Sequence, residues 1–580
     1  MGLWILEPNT TEDVPGTVHI QRDAERRIRH TSQLKHGTGR HADLVLAPQP
    51  SDSPNDPLNW SKTRKIFTSI FLSAGTGLMA GTHNFVNPAN VTLAKIFHTK
   101  ANTVSQSVSV VLLTLGVSAV LTSPAARIWG KRPVLLLSNL VAIVGYVIVA
   151  ASGPNIVALF VGRGIHGLGI AGLEYLVSSS VGDLFYVHER GSHLALWHYA
   201  LSGGNALGQP IGTAILSAQG WRWPFIWAVV VFAVYTIVLF FTCPETTYNR
   251  QSQLDIDIKE EIMDDSSSEN YKSADAPLRS DENGRPPKGA RVGERVEIPP
   301  RDLDDPEKAV GATTVDAASS IVQEAKHSYW HGLRVYNGRF SDESFWLALI
   351  TPWSAFLLPA VSWAALSYGW SVAVAASFSV GLSNIFTKPP YNFTSNQVGL
   401  TVFSSFVGAT LGNAIPGPIS DWLVSYMSTK NNGIYEPEFR VVLSLPSLFL
   451  GLLGFWGFGW SLEARAHFMI PVFFYGLAIF AGSINSLISN TYLLDCHRAQ
   501  AQDGYAAVTI FRGVSSFVMT FVINTWIERS GYKVVYFWIG AVHGLSCVIG
   551  MFLYFFGKKI RFFISRNRFI QSKLAKRKSA

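Results

Sequence analysis

The feature that most constrains this chain is a succession of nearly uncharged apolar runs, each about twenty residues long. Wound as an α-helix, a run of that length matches the ~30 Å hydrocarbon core of a bilayer. No water satisfies backbone N–H and C=O groups there, so a spanning segment that bonds internally takes the helical form. The runs fall near 66–86, 106–126, 133–152, 156–182, 193–216, 223–243, 360–386, 397–419, 440–461, 468–493, 505–527 and 534–556. They predict an all-α polytopic membrane protein with twelve transmembrane helices. One stretch forces a choice: Phe345 to Phe386 is apolar for about 42 residues, or about 63 Å of helix, twice the bilayer core. A single span after Pro359 is expected, with Phe345 to Leu358 along the interface; two spans would invert everything downstream.

Composition agrees. Charged residues make up 15% of the chain, against about 25% in a typical soluble protein. The net charge of +8 gathers beside the spans and in the tail, so it does not point to nucleic acid. Cys243, Cys496 and Cys547 all fall in or beside apolar runs, which implies packing rather than a disulfide framework; palmitoylation of Cys243 or Cys496 is the other reading.

Between the runs the chain divides into five parts. Residues 1–61 are polar and read as a disordered cytosolic tail. They hold no apolar leader with a cleavage site, so the first span is expected to act as the address. Residues 62–243 and 344–557 form the two apolar halves. Residues 244–343 are hydrophilic, with an acidic run from Asp255 to Glu261 and serines at 266–268. They read as a cytosolic linker, either a passive tether or a phosphorylated regulator. Residues 558–580 form a basic tail. Twelve spans put both tails, the linker and the loops bearing Arg127, Lys131, Arg132, Arg190 and Arg440 on one side, the cytosolic one by the positive-inside rule. Sequons at Asn90 and Asn392 fall in opposite, outer loops and are candidate glycosylation sites. Sequons at Asn9 and Asn59 fall in the cytosolic tail.

The chemistry sits in the fourth span, where Arg163, His166 and Glu174 interrupt an apolar, glycine-rich helix. A charge at the centre of a membrane helix costs about 2.5–3.5 kcal/mol even on the lenient insertion scale. At about 100° per residue, Arg163 and Glu174 lie about 20° apart around the helix and about 16 Å apart along it. They therefore share one stripe without pairing to each other. Such a stripe lines a water-accessible path; the alternatives are that Arg163 bonds backbone carbonyls and Glu174 pairs structurally with a base elsewhere. Glu174 is the candidate coupling carboxylate. Further path candidates are His83, Asn84, His198, Asn205, Asn384, Asn413, Asn485, Asn490, Asn524 and Arg512, the last expected to face an acid such as Asp495 or Glu174. Trp197, Tyr199 and Trp227 offer cation–π surface or belong to an interface belt. No Gly-x₄-Gly-Lys-Ser/Thr cassette occurs, which disfavours ATP-driven pumping. No metal-ligand or nucleophile–base cluster stands out, so no enzyme activity, cofactor or metal is expected.

Six spans, a linker and six more resemble the layout of the major facilitator superfamily. Ser123 to Pro133 (SPAARIWGKRP) resembles that family's inner-gate loop, matching at Gly130, Lys131 and Arg132 but carrying Arg127 where the family has an acid. The second half keeps Gly417 to Asp421 (GPISD) and lacks the basic run. Gly162-Arg163 with Gly167 and Gly169 resembles the Arg-bearing motif linked in the family to proton coupling. Gly203 to Gly212 (GGNALGQPIG) is similar to the antiporter signature, its Gly-Pro doublet split by Gln209. Asp56 to Ser61, Asp183 to Gly191, Cys243 to Arg250 and Asn431 to Arg440 resemble fungal drug:proton antiporter-type carriers, in the branch of the fungal histidinol and polyamine permease. The resemblance implies a major facilitator fold: two six-helix bundles built from inverted triplets, with spans one, four, seven and ten lining a midplane cavity. It implies a monomeric, proton-coupled secondary transporter of a small organic solute, cationic by this branch, in the plasma membrane. A drug exporter working by antiport, or a transporter-like sensor signalling through its tails, are the alternatives.

Overall fold

The computed structural model describes residues 4–7, 14, 16–19, 50–51, 53–248, 328–432, 434–497 and 501–567. Most of the linker, its serines at 266–268 and the end of the basic tail lie outside the described residues. Helices dominate: α1 Lys62–Asn84, α2 Ala101–Trp129, α3 Lys131–Ala151, α4 Ile156–Leu184, α5 Val187–Gln219 and α6 Trp223–Thr242 precede the linker. After it come α7 Pro359–Phe386, α8 Ser395–Lys430, α9 Ser444–Glu463, α10 Met469–Cys496 and α11 Ala501–Arg566. The run Phe345–Ala355 is a short helix of its own, ended before Pro359 starts α7. Among the described residues, nine segments are long and apolar enough to cross a membrane. One of them, α11, breaks at Gly531, where φ is 76°, and so holds two helical arms. The helices α1 and α5 are long but more polar, because they carry His, Asn, Ser and Thr toward the interior.

Local chemistry sets the boundaries. Asn155 caps α4 by accepting a hydrogen bond from the Val157 N–H at 2.9 Å. Thr394 and Gln397 form a reciprocal capping box that starts α8. Gly130 takes φ 94° between α2 and α3, the left-handed turn that needs no Cβ.

The large side chains are distributed as a membrane protein requires. Leu137, Leu140, Val144 and Val147 on α3, and Val230, Val234 and Ile237 on α6, are exposed. Serines, threonines and amides fill much of the interior. Buried hydrophobics gather into one cluster drawn wholly from residues 72–243, around Phe85, Tyr146, Ile170, Phe225 and Phe232, and another from residues 373–539 around Phe378, Phe458, Tyr475 and Tyr536. Where α2 meets α11 the backbones touch: a Cβ on Gly116 would stand 3.0 Å from the Gly513 Cα, and one on Gly513 would stand 2.7 Å from the Gly116 Cα.

The N-terminal tail, read as a disordered cytosolic tail, contributes packing in its described parts. Ile5, 2% exposed, joins Met427 and Phe439, and Val18–His19 (β1) pairs antiparallel with Ile434–Tyr435 (β2). Thr17 donates to Glu436 at 2.8 Å. A few apolar residues and a free strand edge suffice to hold this segment on the opposite half of the sequence.

Candidate functional site

Near the middle of the molecule Glu174 and Arg512 meet across the two halves. The Arg512 Nη1 donates to Glu174 Oε1 at 2.6 Å, and the two residues are 6% and 7% exposed. Arg512 also donates to the Tyr175 hydroxyl, and its guanidinium stands 5.1 Å from the Tyr175 ring centre and 5.9 Å from that of Tyr368. One cation is thus held by a carboxylate and two aromatic rings, from α4, α7 and α11. A carboxylate flanked by aromatic rings is chemistry able to hold an organic cation. Of the two acids the sequence offered to Arg512, Asp495 is engaged elsewhere.

Arg163 and His166, on the stripe of Glu174, face different neighbours. His166 lies against α3, with its Nε2 2.6 Å from the Tyr146 hydroxyl. Arg163 joins His83, Phe85, Tyr146 and Phe225 in a pocket inside the first half. A line along α5 does reach the boundary between halves. Asn205 accepts from Asn84 at 2.9 Å, and Gln209 accepts from Ser379 of α7 at 3.4 Å. His198 lies on the same helical line, nearer the linker, and is exposed. Asn384 is half-buried in the last turn of α7. Asn485 is fully buried and donates to Ser546 at 2.9 Å, a contact within the second half.

Away from the linker the halves are tied by polar contacts. Asn87 donates to Ser379 at 3.0 Å, Ser383 donates to the Pro88 carbonyl at 2.9 Å, and Asn102 donates to Thr525 at 2.9 Å. The sequon residue Asn90 is 0% exposed there and donates to Ser105 at 3.2 Å. That corrects the expectation of a glycan at this position, since a buried, bonded amide offers no nitrogen to a sugar. Asn392 is exposed.

At the linker end the loop from Arg127 to Arg132 is held by acids and carbonyls that lie outside it. Glu245, just beyond α6, accepts from the backbone N–H of Lys131 and of Arg132, each at 3.0 Å, and so caps α3. Lys131 pairs with Asp183, and Arg132 donates to the carbonyls of Cys243, Phe240 and Leu333. Arg127 pairs with Glu343 at 3.3 Å and approaches Asp503, in the first turn of α11, at 3.6 Å. The family's acid position is basic here, and the facing helix start is acidic. In the second half Arg440 pairs with Asp421 at 3.1 Å and Asp495 at 2.9 Å. Asp183 and Asp495 end α4 and α10 respectively, so the two loops repeat one plan.

The Major Facilitator Superfamily sequence pattern matches residues 72–520. The chain belongs to the major facilitator superfamily. Among its relatives, Protein HOL1 of Saccharomyces cerevisiae is 24% identical over 95% of this chain and 96% of its own length. The MFS antiporter QDR3 of Candida albicans is 23% identical over 91% of this chain and 82% of its own. In three dimensions the chain is similar to the Escherichia coli proton:xylose symporter XylE, with a TM-score of 0.52 at 13% identity, covering 85% of this chain and 96% of that one. The protein is a major facilitator and a secondary transporter integral to a membrane, not an enzyme. In this facilitator the glycines of the antiporter-like signature serve packing: a Cβ at Gly204 or Gly208 would strike the backbone of Gly77 or Gly81 on α1. Tyr175, Tyr368, Asp503 and Glu245 were missed because single aromatics and acids near helix ends carry no local signal. Glu245 alone lay within a quoted motif, Cys243 to Arg250.

Proposed function

We propose that this facilitator carries a small organic cation across the plasma membrane, coupled to protons, by alternating access between two six-helix bundles of residues 62–243 and 344–557. Twelve crossings put both termini and the linker in the cytosol, and the carrier works as a monomer. The observation that carries this reading is the buried Glu174–Arg512 pair between the halves. Arg512 is an internal stand-in for the substrate: a positively charged group set against one carboxylate and two aromatic faces. A substrate amine competes with Arg512 for Glu174, and a proton on Glu174 releases either. Exchange of proton for cation on one carboxylate, as the halves rock, gives coupled transport. His198, Asn205 and Asn384 line the route, Arg163 and His166 set the field of the first half, and Asn485 keeps the second half in register. The loops of Arg127, Gly130, Lys131 and Arg132, and of Asp421, form the inner gate, and Asn392 carries the outer glycan.

The test is flux into proteoliposomes holding the purified full chain, with polyamines and amino alcohols as labelled solutes and an imposed pH gradient. Accumulation that follows the gradient and fails in Glu174→Gln supports the reading. No flux of any cation, or flux indifferent to pH, overturns it.

A further inference from the structure

The Arg163 pocket in the first half lies apart from the Glu174 site and contains a charge with no counter-charge. Arg163 is 3% exposed, and its Nη1 and Nη2 have no hydrogen-bond partner. The His83 Nδ1, on α1, is also without one. These atoms line a cavity with Thr82, Tyr146 and His166. The cavity has a volume of about 10 Å³. The charged or titratable groups facing it from α1, α3 and α4 are His83, Tyr146, Arg163 and His166, and α6 contributes Phe225. No carboxylate is among them. Glu174 is about 16 Å farther along α4 and is held by Arg512.

A buried guanidinium without a partner is costly, because it has lost water and gained nothing in exchange. A water molecule fits the space but leaves the positive charge standing. A single monatomic anion can meet the guanidinium and the ring nitrogen from one position in this space. We propose that this pocket is a halide site, binding one chloride per chain between the Arg163 guanidinium and the His83 Nδ1–H, with the bonded Tyr146–His166 pair as its wall. The anion balances the Arg163 charge within the first half, at a place distinct from the Glu174–Arg512 pair.

The test is equilibrium binding of radiolabelled chloride to the purified full chain in gluconate buffer. One saturable site per chain is expected, displaced by bromide and not by sulfate, and lost in Arg163→Met. Bromide anomalous scattering from crystals of the unmutated protein gives a second readout that needs no folded variant, with a peak expected between Arg163 and His83. Absence of saturable binding, undiminished binding in a folded Arg163→Met, or a bromide peak elsewhere overturns the proposal. Loss of transport in Glu174→Gln leaves this site untouched, so the two readings fail separately.

Discussion

Replacing Glu174 and Arg512 singly and together separates their structural from their coupling role. At 2.6 Å, and with an effective dielectric of about 20, their Coulomb attraction is about 6 kcal/mol. Desolvation of two buried ions offsets several kcal/mol of it for each, so the intact pair lies near balance. Removing one partner strands the other, at a cost of about 3–5 kcal/mol. Glu174→Gln and Arg512→Gln should each lower the denaturant midpoint sharply, and the double variant should lower it far less than the two effects added. A coupling of about 3 kcal/mol is expected from the cycle. The double variant, folded and reconstituted, should lose both binding of the cation at this site and its accumulation against a pH gradient. Additive single effects would refute the pairing. A double variant with normal pH-driven accumulation would refute the coupling role and leave the pair as structural glue.

Arg127→Asp sets three acids against one another at the linker end, at a cost on the order of 2 kcal/mol, below that of a fully buried pair because the contact is longer and Arg127 keeps 14% exposure; Arg127→Asp with Asp503→Arg should recover surface expression and turnover. His497, at the end of α10, is held at a pKa of about 4 by burial and by nearby Arg561, below its ordinary 6.5. The unfolded chain therefore takes up this proton first, so as much as about 3 kcal/mol of stability is present above pH 6.5 and is lost as pH falls toward 4. His497→Gln should flatten the acid limb of melting temperature against pH. Asn392→Gln should abolish the endoglycosidase-sensitive gel shift, and Asn90→Gln should leave it unchanged.

The helices were legible because hydrocarbon allows so few alternatives, and even the polar α1 and α5 stood out between their loops. Their ends ran longer than read: α2 begins at Ala101 and α5 extends to Gln219, since turns outside hydrocarbon carry no hydropathy signal. Glu174 was legible as a lone intramembrane acid, and Arg512 as a base in need of one. The shared stripe was legible too, but not what it faces. Position around one helix fixes direction, whereas the neighbour at each level depends on how the others cross. Arg163 therefore points into the first half, and Glu174 reaches the second. The sequon at Asn90 failed for a related reason, because a tripeptide does not reveal burial. The Arg127–Asp503 contact needed two distant residues with their signs exchanged together, which one sequence cannot display as a pair.

The seam of α2 and α11 joins the halves without interlocking side chains at Gly116 and Gly513. Two smooth backbones in contact behave as a bearing: one helix can roll on the other with no rotamer to turn and no tooth to disengage. Friction at that point then becomes a quantity the sequence can set, with alanine a light brake and valine a heavy one. A brake would also press on the contact as it stands, since a Cβ on Gly513 would lie 2.7 Å from the Gly116 Cα, and so would shift the balance away from this state as well as slow the interchange.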